Sequence, residues 1–127
     1  MSGARGKVLV VDDAGEVVVL CVNMLQTLGY TVRGASRGAA ALEILAAEPF
    51  DLMIVDYKMP NMNGFEVHER ARALRPDTAF MLLTGHGTTD VIEDAADRGF
   101  QSILLKPFTR EQLRAAVEQA LAGRGRG

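Results

Sequence analysis

Short apolar runs alternate along the chain with longer segments in which apolar residues recur at helical spacing. The runs occupy 7–11, 30–34, 51–55, 79–83 and 102–105, and several are almost continuously apolar. This is the pattern of strands buried on both faces, because a strand covered on one face alternates apolar with polar residues. In the last intervening segment Leu113, Ala116, Val117, Ala120 and Leu121 fall on one helical stripe. Thr109 precedes that stripe with Gln112 three residues on, a capping box that satisfies backbone donors at a helix start. Asn63 with Glu66 offers the same arrangement ahead of the third helix. Gly29 and Gly99 stand where the first and fourth helices should stop. Five such strand–helix units predict a doubly wound α/β fold with helices on both faces, since parallel strands need crossovers and these are right-handed. In such a sheet ligands bind outside the carboxyl ends of the strands.

Composition narrows the class without changing the fold. A chain of 127 residues with 48% hydrophobic and 24% charged residues and a net charge of −2 is an ordinary globular domain. One domain is expected over 7–121, with an N-terminal extension at 1–6 and a Gly/Arg tail or linker at 122–127. No basic patch invites direct contact with nucleic acid, and no apolar stretch approaches the roughly 18 residues that span a bilayer. A polar Asp12–Asp13 pair comes too early for a secretory signal, so the cytoplasm is the expected compartment. The single cysteine, Cys21, sits in an apolar run with no partner at ligand spacing and reads as a core thiol.

The polar residues at or just past the expected strand ends are Asp12 and Asp13, then Asp56, Thr84 and Lys106. Singly, each has a structural explanation as a cap, a turn residue or a solvated charge. Together they place an acid cluster, a hydroxyl and an ammonium on one sheet edge. Closely packed carboxylates repel, so the cluster needs a neutralising cation or partial protonation. Oxygen donors without nearby His or Cys favour Mg²⁺ or Mn²⁺ over Zn²⁺, and an incomplete cage with room for water and phosphate favours Mg²⁺. A carboxylate beside such a metal is a nucleophile toward phosphorus. Lys106 would neutralise phosphoryl oxygens and Thr84 would donate a hydrogen bond to one of them.

The motifs Val10-Val11-Asp12-Asp13, Val55-Asp56-Tyr57-Lys58-Met59-Pro60-Asn61-Met62-Asn63-Gly64, Leu83-Thr84-Gly85 and Leu105-Lys106-Pro107-Phe108 resemble the signature set of bacterial response-regulator receiver domains. The resemblance runs from about Lys7 to Leu121. It implies a five-stranded parallel sheet of flavodoxin-like strand order 2-1-3-4-5. It implies Asp56 as phosphoacceptor, with Asp13, Asp56 and the backbone carbonyl of Lys58 on the metal and Asp12 close by through water. It implies a histidine kinase or histidine-phosphotransfer domain as partner, in a signalling domain that assists its own phosphorylation and dephosphorylation. Such a receiver stands alone or belongs to a larger protein such as a hybrid histidine kinase. The Lys106–Pro107 peptide is often cis in the family.

Three features depart from the pattern or extend it. Receivers usually carry Tyr or Phe three residues before the site lysine, where Ile103 stands here. Phosphorylation is therefore expected to perturb the loops after Asp56 and Thr84 strongly and the outer face of the fifth strand and helix weakly. Phe100, nearby, reads as core rather than as a substitute ring. Lys58 and His86, each two residues beyond a site residue, are expected to tune the lifetime of the phosphoryl group. On the first helix Val17, Leu20, Cys21, Met24 and Leu28 form a core-facing stripe, while Val18, Val22 and Leu25 form a second one, expected to be an exposed docking or dimer surface. A phosphatase of the dehalogenase type would want an acid where Lys58 stands. A flavodoxin would want a Ser/Thr-rich loop where Asp12-Asp13-Ala14-Gly15 stands, and a receiver-like module that never takes phosphate is opposed by the intact acid set.

Overall fold

The computed structural model describes residues 5–85 and 87–123. The ends of the expected extension and tail, 1–4 and 124–127, lie outside the described residues. The order is β1 (Lys7–Val11), α1 (Gly15–Thr27), β2 (Thr31–Ala35), α2 (Gly38–Ala47), β3 (Leu52–Asp56), α3 (Gly64–Leu74), β4 (Ala79–Thr84), α4 (Thr89–Arg98), β5 (Ser102–Leu105) and α5 (Arg110–Ala122). All strand pairs are parallel, and the sheet order is β2-β1-β3-β4-β5. β2 and β3 lie one residue later than the apolar runs indicated and β4 runs on to Thr84. Asp56 and Thr84 are thus the last residues of their strands.

Alternate side chains of β1, β3 and β4 feed two cores. Leu9, Val11, Met53, Val55, Phe80 and Leu82 pack with residues of α2, α3 and α4. Val8, Val10, Leu52, Ile54, Met81 and Leu83 pack with Cys21 and Leu25 of α1 and Leu113, Val117 and Ala120 of α5. Both capping boxes are present, at Asn63/Glu66 and at Thr109/Gln112. Gly29 and Gly99 have φ near +98° and +100°, the left-handed conformation that a helix end requires and that favours glycine. Cys21 is buried, and loss of hydration pushes its thiol up to about 11, as expected of an inert core cysteine. Among the described residues no helix is long and apolar enough to cross a membrane.

The expectation for α1 requires correction. Leu25, assigned to an exposed docking stripe, is wholly buried, and Val18 and Val22 are half-buried rather than open. Leu20, assigned to the core, is 43% exposed, and its neighbour Val19 is 59% exposed. The cause lies in β2. At Gly34 a methyl group would stand 2.5 Å from Val18 Cγ1 and 3.5 Å from Val22 Cγ2. The bare glycine lets α1 settle onto the edge strand, which turns the Val18/Val22 side inward and Leu20 outward.

Candidate functional site

The carboxyl ends of β1, β3 and β4 and the turn after β5 converge on one edge of the sheet. Asp12, one residue past β1, is completely buried, and its Oδ1 accepts a hydrogen bond from the Ala14 amide at 2.9 Å. Its Oδ2 lies 2.8 Å from Lys106 Nζ, an ion pair without the alignment of a full hydrogen bond. Asp56 is buried as well, and its Oδ1 lies 2.9 Å from the same ammonium. Asp13 is exposed at the rim. One oxygen from each of Asp12, Asp13 and Asp56 falls within 4.8 Å of the other two. Three hard anionic donors so close, one of them open to solvent, match a site for a divalent cation that keeps part of its water.

Electrostatics follow from this crowding. Burial raises the Asp56 carboxyl above the usual range, and the charges of Asp12 and Asp13 add to it, while the close Lys106 ammonium opposes. For Lys106 burial disfavours the charged form, but its close contacts with the Asp12 and Asp56 carboxylates outweigh that, and the ammonium is held above its ordinary value. The Lys106 amide donates to the Thr84 carbonyl at 2.9 Å, which fixes the backbone beneath the ammonium. The Lys106–Pro107 peptide is cis.

Thr84 is buried at the end of β4, one residue past Leu83, which pairs with Asp56 across the sheet. Lys58 is exposed on the loop that leaves Asp56, above a cleft of about 380 Å³ lined by Tyr57, Lys58, Met59, Asn63, Thr88 and Val91. His86 lies outside the described residues. Ile103 is half-buried and packs against the core that α2, α3 and α4 share. Phe100 is core, in a ring cluster with Phe65, His68 and Phe80 at centroid distances of 4.3–6.5 Å. Tyr57 extends the cluster to the residue after Asp56, 4.9 Å from Phe65, and the Arg98 guanidinium covers Phe65 at 4.4 Å.

Two contributors escape a reading of residue types. Gly64 has a place in the motif, but its reason is steric: a methyl group there would stand 2.5 Å from the Asp56 carbonyl oxygen and 3.0 Å from Tyr57 Cα. The start of α3 therefore sits directly on the backbone of the candidate nucleophile. The Ala14 amide that fixes Asp12 leaves no sequence signal at all.

Comparison with known proteins agrees with this arrangement. A model of the response regulator receiver domain matches residues 8–118. The chain is 30% identical to sporulation initiation phosphotransferase F of Bacillus subtilis over 115 residues, 91% of this chain and 93% of that protein. It is 35% identical to a probable chemotaxis protein CheY of Rhizobium etli over 116 residues, covering 88% and 89% of the two chains. The solved structure of chemotaxis protein CheY4 of Vibrio cholerae superposes with a TM-score of 0.85 at 31% identity, over 90% of this chain and 97% of that one. With its strand order and its acid cluster at the carboxyl edge of the sheet, the chain belongs to the response regulator receiver domains of two-component signalling.

Proposed function

We propose that Asp56 accepts a phosphoryl group from a phosphohistidine of a histidine kinase or histidine-phosphotransfer domain. The observation that carries this reading is the position of Asp56: a buried carboxylate at the end of the central strand, with two further carboxylates within 4.8 Å and Lys106 Nζ at 2.9 Å. In the transfer an Asp56 oxygen bonds to phosphorus while the P–N bond breaks, and the imidazole nitrogen keeps the electron pair and takes up a proton. Lys106 lies where its charge meets that of the phosphoryl oxygens, and Thr84 is the hydroxyl that donates a hydrogen bond to one of them. Asp12, Asp13, Asp56 and the Lys58 carbonyl would hold Mg²⁺, which offsets carboxylate repulsion and the charge on the transferring group. Asp12 also positions the lysine, because the ammonium is shared between it and Asp56. The receiver occupies 7–121 and works in the cytoplasm, with Lys58, exposed on the loop after Asp56, and His86, two residues after Thr84 in the sequence, tuning how long the phosphoryl group persists.

Phosphoramidate with Mg²⁺ should add one phosphoryl group to the intact protein, read by mass spectrometry, and Asp56→Asn should abolish the addition. Labelling of Asp56→Asn at the wild-type level would overturn the assignment. Removal of Asp13 should weaken Mg²⁺ binding more than removal of Asp12, and equal losses would count against their separate roles.

A further inference from the structure

The cleft of about 380 Å³ that starts at the residue bonded to Asp56 differs in chemistry from the acid cluster. Tyr57, Lys58, Met59 and Asn63, the N-cap of α3, supply one part of its lining. Thr88, the N-cap of α4, and Val91 in the first turn of that helix supply the other. Among the described residues no carboxylate lines it, and Lys58 is its one charge. The Tyr57 ring is half-buried and props on Phe65, with centroids 4.9 Å apart and planes at 58°. Met59 is buried and Val91 half-buried, so a ring, a thioether and an isopropyl group make an apolar surface. The two uncharged polar side chains already serve as acceptors. Asn63 Oδ1 takes the Glu66 amide at 2.9 Å, and Thr88 Oγ1 takes the Val91 amide at 3.3 Å. Each keeps a donor for a ligand, the Asn63 amide N–H and the Thr88 O–H.

We propose that this cleft seats the leaving group of the phosphoryl donor and selects a neutral heteroaromatic ring, such as imidazole, over a small amine; the proposal rests on the reading of Asp56 as phosphoacceptor. In the transfer an Asp56 oxygen bonds to phosphorus as the P–N bond breaks. The ring nitrogen keeps the electron pair and takes a proton from solvent, so the departing group is neutral imidazole. Such a ring gains from the Tyr57 ring and the Met59 sulfur, and its remaining lone pair accepts from Asn63 or Thr88. Ammonia has no apolar surface to bury, and as ammonium it is repelled by Lys58. Asp12, Asp13 and Lys106 are charged groups that suit a metal and phosphoryl oxygens and offer a ring nothing comparable. A donor held by its ring beside the nucleophile reacts faster by proximity, so the cleft acts on rate as well as on binding.

The test compares labelling of the whole chain by N-phosphorylimidazole and by phosphoramidate, each with Mg²⁺, with rates read by intact-mass spectrometry over a range of donor concentrations. Both donors need a competent Asp56, so the ratio of their second-order rate constants isolates the contribution of the cleft. Tyr57→Ala should lower that ratio about two- to tenfold, the worth of one aromatic contact. Val91→Ser, on a different element, should lower it to a smaller extent, and Tyr57→Phe, which keeps the ring, should preserve it. Imidazole alone should move the wild-type amide resonances of Tyr57, Asn63 and Val91. It should also slow labelling by N-phosphorylimidazole more than labelling by phosphoramidate. If Tyr57→Ala does not fold, Val91→Ser and the imidazole titration decide the matter. An unchanged ratio in either folded variant, or imidazole that leaves those resonances in place, would overturn the proposal. Absence of labelling by both donors in wild type would overturn the phosphoacceptor reading, and this inference with it.

Discussion

His68 of α3 offers a test of the fold that is independent of phosphate. The imidazole is 2% exposed, 4.6 Å from the Phe80 ring and 4.3 Å from the Phe100 ring. Burial among these rings, with the positive charges of Arg72 and Arg98 nearby, lowers its pKa from 6.5 to about 4. The folded state thus refuses a proton that the unfolded chain takes up below about pH 6.5, the ordinary histidine value. Its contribution to stability is complete above that pH and is lost as pH falls toward 4. Linkage over this interval amounts to about 2 kcal/mol missing at pH 5 and about 3 kcal/mol at pH 4. Replacing His68 by phenylalanine keeps a ring in the cluster and removes the titrating group. Urea unfolding between pH 7 and pH 4.5 should then show a wild-type stability that falls more steeply than that of His68→Phe, by about 2 kcal/mol at pH 5. His86 and the carboxylates are common to both proteins and cancel in the difference. Parallel curves for the two proteins, or a His68 ring resonance that titrates near 6.5, would refute the reasoning.

Other substitutions probe the backbone of the site and the packing of α1. Gly64→Ala sets a methyl group against backbone atoms of Asp56 and Tyr57 that have no flexible end to yield. It should lose about 1–3 kcal/mol in urea unfolding and slow phosphoramidate labelling, and wild-type behaviour in both would refute the steric argument. Leu25→Ala should lose about 2–5 kcal/mol while Val19→Ala stays within about 0.5 kcal/mol, and the reverse order in thermal melts would return Leu25 to the surface. Asn63→Ala removes the side chain that accepts from the Glu66 amide at 2.9 Å and should lose about 1 kcal/mol, so an unchanged melt would show the capping box to be idle.

Much of this molecule was legible in the order of its residues because its strongest signals are local. Continuous apolar runs announce strands covered on both sides, and Asn63 with Glu66 or Thr109 with Gln112 announces a helix start, whatever lies elsewhere in the chain. The acid, hydroxyl and ammonium groups were legible because a parallel sheet delivers every strand end to one edge. The stripe on α1 was misread because its orientation depends on an absent side chain at Gly34, in a strand with its own hydrogen-bonding partners. For the same reason the importance of Gly64 could not be read from residue type, since it is defined by the backbone atoms that a side chain would strike. The single register step at β3 also mattered: it makes Asp56 the last strand residue rather than the first loop residue, paired in register with Leu83 of β4.

The placement of the tyrosines gives the protein an optical signal of its own. The chain contains two tyrosines and no tryptophan, so its near-ultraviolet emission is tyrosine emission. Tyr57 follows Asp56 directly and leans on Phe65, whereas Tyr30 belongs to the core on the opposite face of the sheet, with Arg5 5.4 Å from its ring. A change of charge at Asp56 acts on one fluorophore and leaves the other as an internal standard. Subtracting the spectrum of Tyr57→Phe from that of wild type isolates light emitted beside the acid cluster, which makes the site observable in a cuvette without a label.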